Sequence, residues 1–137
     1  MSKKTLRGTT KRAWNVFSKY IRLRDALRTT GTQEEAICIT CEKRFPINRM
    51  DAGHFASRRH KRTLFNEKNV HAQCINCNAF LGGEQSLYGK AINKMYGKGT
   101  SDKLLVDRWK IKKFTIDELE GIIEKYKEKY KHLDNSN

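Results

Sequence analysis

Four cysteines stand in two pairs, Cys38-Ile39-Thr40-Cys41 and Cys74-Ile75-Asn76-Cys77. A C-x-x-C turn offers two sulfurs to one metal, and two such turns close the tetrahedral thiolate shell that zinc takes in structural sites. Both pairs together use every cysteine in the chain, which favours this reading over four unligated core thiols. The 32 residues between Cys41 and Cys74 exceed the loop of a simple zinc ribbon. They carry Asp51, Gly53-His54, the basic run Ser57-Arg58-Arg59-His60-Lys61-Arg62, Asn69 and His71. The zinc therefore reads as a clamp around a second site. Taken alone, His54 reads first as a structural histidine. It is also the natural candidate for a base, because only histidine has an unperturbed pKa near neutrality. Asn78, directly after the second knuckle, reads either as a surface neighbour of the zinc or as a ligand for another metal.

The charge balance indicates what such a site would act on. The chain has 137 residues, 29 Lys and Arg against 15 Asp and Glu, and a net charge of +14. Residues 1–28 hold nine of the basic residues and one acid, and residues 58–101 hold eight and two. So large and uneven an excess points to a polyanion, with nucleic acid as the expected partner. Cleaving a phosphodiester needs a base for water, a cation for the developing charge and positive groups for the backbone. Arg58, Arg59, Lys61, Arg62, Arg12 and Lys19 are the candidate phosphate contacts, with His71 a candidate for phosphate or for a hydrogen-bonded place in a strand. No apolar run is long enough to cross a membrane, and no secretory h-region follows the basic N-terminus. A cytoplasmic location is expected, where cysteines stay reduced and bind metal.

Several elements must hold these residues in place. Residues 1–8 read as a basic, flexible tail. A helix capped by Thr9 or Thr10 follows, with Ala13, Trp14, Phe17, Tyr20, Ile21 and Leu27 on its apolar stripe, and it ends before Gly31. Residues 29–35 read as a polar loop, and Pro46 as a turn. A short strand is expected over 50–56, a basic loop over 57–69 and a second strand over 70–73. On a regular strand Asp51 and His54 face opposite ways; a bulge at Ala52-Gly53 would bring them together. The second knuckle opens a helix that stops at Gly82-Gly83. Helices follow over 85–96, ended by Gly97, and from a Ser101 cap. The last helix starts at a Thr115/Glu118 capping box, with Ile116, Leu119, Ile122, Ile123, Tyr126 and Tyr130 on one face. The fold class is α+β with a zinc-stapled core. The organisation is one domain over 1–137: a basic N-terminal helix (1–31), the zinc-bound core (36–83) and a helical extension (84–137).

The order C-x-x-C, Gly53-His54-Phe55, then Asn69-x-His71-x-Gln73-Cys74-x-x-Cys77-Asn78 resembles the HNH (His-Me finger) endonucleases, whose ββα-metal core is built on a treble-clef zinc site. The resemblance implies His54 as base, Asn69 as the residue orienting it, and Asn78 as ligand of a catalytic Mg²⁺ or Mn²⁺. Asparagine in that last place is similar to the junction-resolving endonucleases of T-even phages. Many HNH enzymes carry a metal-binding Asp or His directly before the base, where this chain has Gly53. Asp51, His71 and Glu84 are then the candidates for the second ligand, in that order. The segments AWNVFSKYIRLRDAL, CITC, DAGHF and FNEKNVHAQCINCN, the following Gly-Gly and Tyr88 resemble more closely the NinG/Rap recombination protein family of lambdoid phages, over roughly residues 11–97. This implies a structure-specific nuclease cleaving branched recombination intermediates such as Holliday junctions and D-loops, located in the bacterial host cytoplasm if phage-encoded. Recombination proteins are possible partners. The two-fold symmetry of a four-way junction suits a homodimer. Two other readings compete: a non-catalytic zinc module that binds DNA as a recombination mediator or regulator, and an HNH nuclease for plain duplex.

Overall fold

The computed structural model describes residues 4–135. Helix α1 (Leu6–Thr30) starts at Thr5, whose hydroxyl accepts the Gly8 N–H at 3.0 Å, and ends at Gly31 in the left-handed region. The start is earlier than a Thr9 or Thr10 cap would place it. Both of those hydroxyls bond back to the carbonyls of Thr5 and Leu6, at 2.7 Å each, and so are spent inside the helix. Of the tail expected over 1–8, residues 1–3 lie outside the described residues and residues 6–8 are helical.

Two small antiparallel hairpins follow. Strands β1 (Glu35–Ile37) and β2 (Arg44–Pro46) pair with Ala36 opposite Phe45, and the first cysteine knuckle forms their turn. The sequence predicts only loop and turn here. Pro46 is tolerated because it sits at the strand's last position, where losing a ladder donor costs little. Strands β3 (Met50–His54) and β4 (Val70–Cys74) pair in unbroken register from Met50 opposite Cys74 to His54 opposite Val70. A single π-helical turn, Asn76–Phe80, carries the second knuckle away from β4. Helices α2 (Gln85–Tyr96), α3 (Thr100–Asp107) and α4 (Ile116–Asn135) complete the chain. The capping box forms as expected: Glu118 N–H donates to the Thr115 hydroxyl at 3.1 Å and Thr115 N–H donates to the Glu118 carboxylate at 3.2 Å.

Helix α1 organises the packing. One side buries Ala13 against Leu119 and Ile123, and sets Phe17 edge-on to Tyr126 at 4.7 Å. The C-terminal helix therefore rests on the N-terminal one rather than extending away from it. The other side packs Ala26 with Ala36, Met50 and Ala72 around the cysteines. Asp25 pins this side. It is 1% exposed, accepts the Ala72 N–H at 2.7 Å, and pairs with Arg24 and Arg28 at 2.9 Å each. Arg24 also donates to the carbonyls of Glu67 and Val70, so the approach to β4, its first residue and its middle are tied to α1. The result is a mixed α/β fold with two small sheets. No helix among the described residues is long and apolar enough to cross a membrane.

Candidate functional site

The two hairpins bring Cys38, Cys41, Cys74 and Cys77 together, with all four sulfurs within 4.8 Å of one another. Cys41 Sγ and Cys74 Sγ lie 3.9 Å apart, close to the edge of about 3.8 Å expected for a tetrahedron of sulfurs around zinc. Backbone N–H groups point at two of the sulfurs. Cys74 N–H donates to Cys38 Sγ at 3.3 Å and Cys77 N–H to Cys74 Sγ at 3.4 Å. Burial opposes ionisation of Cys38, but the Thr40 hydroxyl and the backbone N–H groups around it bring its pKa down to about 7. Burial pushes Cys41 up to about 12, and the neighbouring Cys38 and Cys74 sulfurs add to the effect. The four cysteines could hold one zinc ion.

The chain leaves the second knuckle through the π-helical turn, which carries Asn78 back over β3. The Asn78 amide donates to Asp51 Oδ2 at 3.0 Å. On an unbroken strand Asp51 and Gly53 share a face, with His54 on the other. The bulge that would have joined Asp51 to His54 is not formed. The Gly53 position is filled from beside it: a Cβ there would lie 2.2 Å from Gln73 Oε1 and 3.1 Å from Asn78 Oδ1. Gln73 is fully buried, and its amide donates to Thr40 Oγ1 at 3.1 Å and to the Gly83 carbonyl at 2.8 Å. Its Oε1 has no hydrogen-bond partner among the described residues. One carboxylate and two amide oxygens thus gather where β3 meets the knuckle, a donor set that suits a hard divalent cation. Sequence reasoning passed over Gln73; its position next to Cys74 in a buried strand was the available signal.

His54 closes the other side of β3. Its ring stacks on Trp14 of α1 with centroids 4.6 Å apart, and its Nε2 lies 3.1 Å from the Leu64 carbonyl. A carbonyl only accepts, so Nε2 carries the proton and Nδ1 keeps the lone pair. Burial, with the Arg58 charge adding to it, pulls the pKa down to about 4, while the Leu64 carbonyl works against the shift. Asn69 makes no hydrogen bond to the imidazole among the described residues, so any orienting of His54 by it is at one remove. Buried, it accepts the Ala56 N–H at 2.7 Å and donates to the carbonyls of Ala56 and Thr63 at 3.0 and 3.1 Å. It fixes the 55–69 loop, and through that loop the Leu64 carbonyl that orients His54. A polar cleft of about 400 Å³ runs past Trp14, Arg58, Asp51 and Asn78.

The remaining candidates divide clearly. His71 is fully buried, its Nδ1 3.3 Å from the Tyr88 hydroxyl and its Nε2 2.7 Å from that of Tyr96. It takes the hydrogen-bonded place in a strand that was one of its two first readings, and in this arrangement it neither reaches phosphate nor ligates a metal. Glu84 stands before α2 in the left-handed region, and of the three candidate ligands Asp51 is the one bonded to Asn78. Arg58, Arg59, Lys61 and Arg62 are exposed. Arg58 lies over the Trp14 ring at 5.0 Å, and Arg62 donates to the Ile111 carbonyl at 3.0 Å. Arg12 pairs with Glu120 at 3.2 Å, and Lys19 sits over Tyr130 at 4.6 Å. These last two lie along the seam with α4, outside the cleft lining.

The family model described as Bacteriophage Lambda NinG protein matches residues 1–136. Protein ninG of Escherichia phage lambda is 30% identical over 131 residues, covering 92% of this chain and 57% of its own length. Protein ninG of Escherichia phage 933W is 29% identical over 131 residues, and that of Salmonella phage P22 is 28% identical over 127. The chain spans a little over half the length of these relatives, 57% or 58% in each case. No solved structure matches. With nearly its whole length matched, the chain belongs to the NinG family.

Proposed function

We propose that this protein is a metal-dependent endonuclease of the HNH type that cuts branched DNA. The observation that carries the reading is the division of labour across β3: a neutral, oriented His54 on one face and the Asp51–Asn78 pair on the other. The β3–β4 hairpin and the turn bearing Asn78 would correspond to a ββα-metal core, with the cysteine cluster as its treble-clef zinc. An acid at position 53 would project toward Asn78. Asp51, two residues earlier on the same face, supplies that carboxylate instead.

A phosphodiester lying across the open edge of β3 would meet His54 on one side and the oxygen ligands on the other. His54 Nδ1 would take the proton of the attacking water, with the Leu64 carbonyl holding the ring in place. Its low pKa keeps the base form present at neutral pH, and the phosphate would favour the imidazolium once formed. A Mg²⁺ or Mn²⁺ held by Asp51 and Asn78 would supply the charge that stabilises the leaving 3′ oxygen. Arg58, beside Trp14, would hold the backbone.

The test is cleavage of labelled four-way junctions, Y-forks, D-loops and linear duplex with Mg²⁺ or Mn²⁺. Branched substrates should be cut in preference, and His54→Ala should lose cleavage while keeping DNA affinity. Equal cutting of all four removes the branched preference. Tight binding with no nick in any substrate would instead make the protein a non-catalytic DNA-binding module.

A further inference from the structure

Past Trp14 a second groove opens between the first turns of α1 and the segment entering α4, with a volume of about 690 Å³. It shares Trp14 and Arg58 with the cleft beside Asp51 and Asn78. Its walls carry six cations, Arg7, Lys11, Arg58, Lys61, Lys112 and Lys113, and no acid lines it among the described residues. Only Lys112 among them has a carboxylate partner in the described residues, Glu118 at 2.6 Å. Its floor is apolar, built from Leu6, Leu64 and Phe114.

Six like charges around one groove repel one another unless a polyanion lies between them. Phosphate alone accounts for the walls but not for the floor. A duplex keeps its base faces stacked inside and offers a concave surface mainly its backbone. An unpaired strand offers phosphates and apolar sugar and base surface together, which is what this groove would satisfy. We propose that the groove between α1 and the 112–114 segment is a binding site for single-stranded nucleic acid, holding an unpaired arm whose continuation enters the Asp51–Asn78 cleft. The inference deepens the nuclease reading by naming the substrate feature recognised, but the binding itself needs no cleavage.

The test uses zinc-loaded protein without added Mg²⁺ or Mn²⁺, and fluorescence anisotropy with labelled oligo-dT of about 12 nucleotides or a blunt duplex of matching length. The single strand should bind at least about 10-fold more tightly. A double charge reversal at the exposed Lys11 and Lys113 (K11E/K113E) should lower single-strand affinity by roughly 30-fold or more and duplex affinity by less than about 3-fold. The neutral pair K11Q/K113Q should flatten the salt dependence, reducing the slope of log K against log salt by about 1.4 for the single strand. Unchanged thermal melting serves as the folding control. Equal losses for strand and duplex, no loss, or displacement of the oligonucleotide by polyglutamate at matched charge would overturn the proposal. Should wild-type protein nick nothing while binding behaves as expected, only the nuclease reading fails. Should cleavage depend on His54 while the groove variants bind normally, only the groove fails.

Discussion

Replacing Gly53 by alanine tests whether Gln73 is the wedge that couples the cysteine cluster to the Asp51–Asn78 pair. The added Cβ would sit 2.2 Å from Gln73 Oε1, and 3.1 Å from both Gln73 Cβ and Asn78 Oδ1. Gln73 is fully buried and cannot swing outward without giving up its bonds to Thr40 and Gly83. Losing two such bonds costs about 2 kcal/mol, and overpacking a filled interior adds roughly 1–3. The backbone at Gly53 is not left-handed, so alanine stiffens the unfolded chain and returns about 0.5–1 kcal/mol. The net expectation is a destabilisation of about 3 kcal/mol. Urea unfolding of the zinc-loaded, reduced protein should show it as a midpoint lowered by about 1–2 M. In a Gln73→Ala background the clash disappears, and Gly53→Ala should then cost less than about 1 kcal/mol. A midpoint shift below about 0.3 M in the wild-type background, or full additivity of the two changes, refutes the wedge.

Acidification should destabilise the fold through two histidines. Burial lowers the pKa of His54 to about 4 and of His71 to about 3, so the unfolded chain takes up protons first. Their contribution is complete above about pH 6.5 and is lost as pH falls from there through about 4 for His54 and about 3 for His71. Ring resonances of both residues should stay in the neutral form at about pH 5.5, and protonated shifts there would refute the burial argument. Metal analysis should find one zinc per chain, and strong chelation should melt the fold by circular dichroism, because the cysteines form part of a core cluster. A fold unchanged after zinc removal would make the cluster dispensable. Asp25→Ala should cost about 3–5 kcal/mol in urea, since it strands the Arg24 and Arg28 charges and the Ala72 N–H. A loss under about 1 kcal/mol would place the anchor elsewhere.

Local chemistry was legible in the sequence where it depends on neighbours a few residues apart. The capping box of α4, the Gly97 stop of α2 and the gathering of both knuckles follow from spacing alone. Starts that depend on competing partners were not. Thr9 and Thr10 have the chemistry of caps but spend it within the helix. Ser101 was expected to cap α3, yet its own N–H is capped by the Asn93 side chain, and α3 begins at Thr100 after a left-handed Gly99. The site divides along the same line. Asp51 could be placed beside Asn78 only once the register of β3 was fixed. The tyrosines enclosing His71 come from α2, 17 and 25 residues downstream, a distance at which no periodic pattern carries information.

The seam between α1 and α4 also bears on how the chain matures during synthesis. Arg12 and Glu120 meet across 108 residues, and Ala13 and Phe17 bury their apolar faces against Leu119, Ile123 and Tyr126. At about 5–20 residues per second, a ribosome needs roughly 5–20 s to make the intervening chain. Throughout that interval the face of α1 that carries Ala13 and Phe17 lacks the partner it packs against in the finished fold. Packing of α1 therefore waits until α4 (Ile116–Asn135) has been made, and the side of α1 that carries Trp14 is set only then.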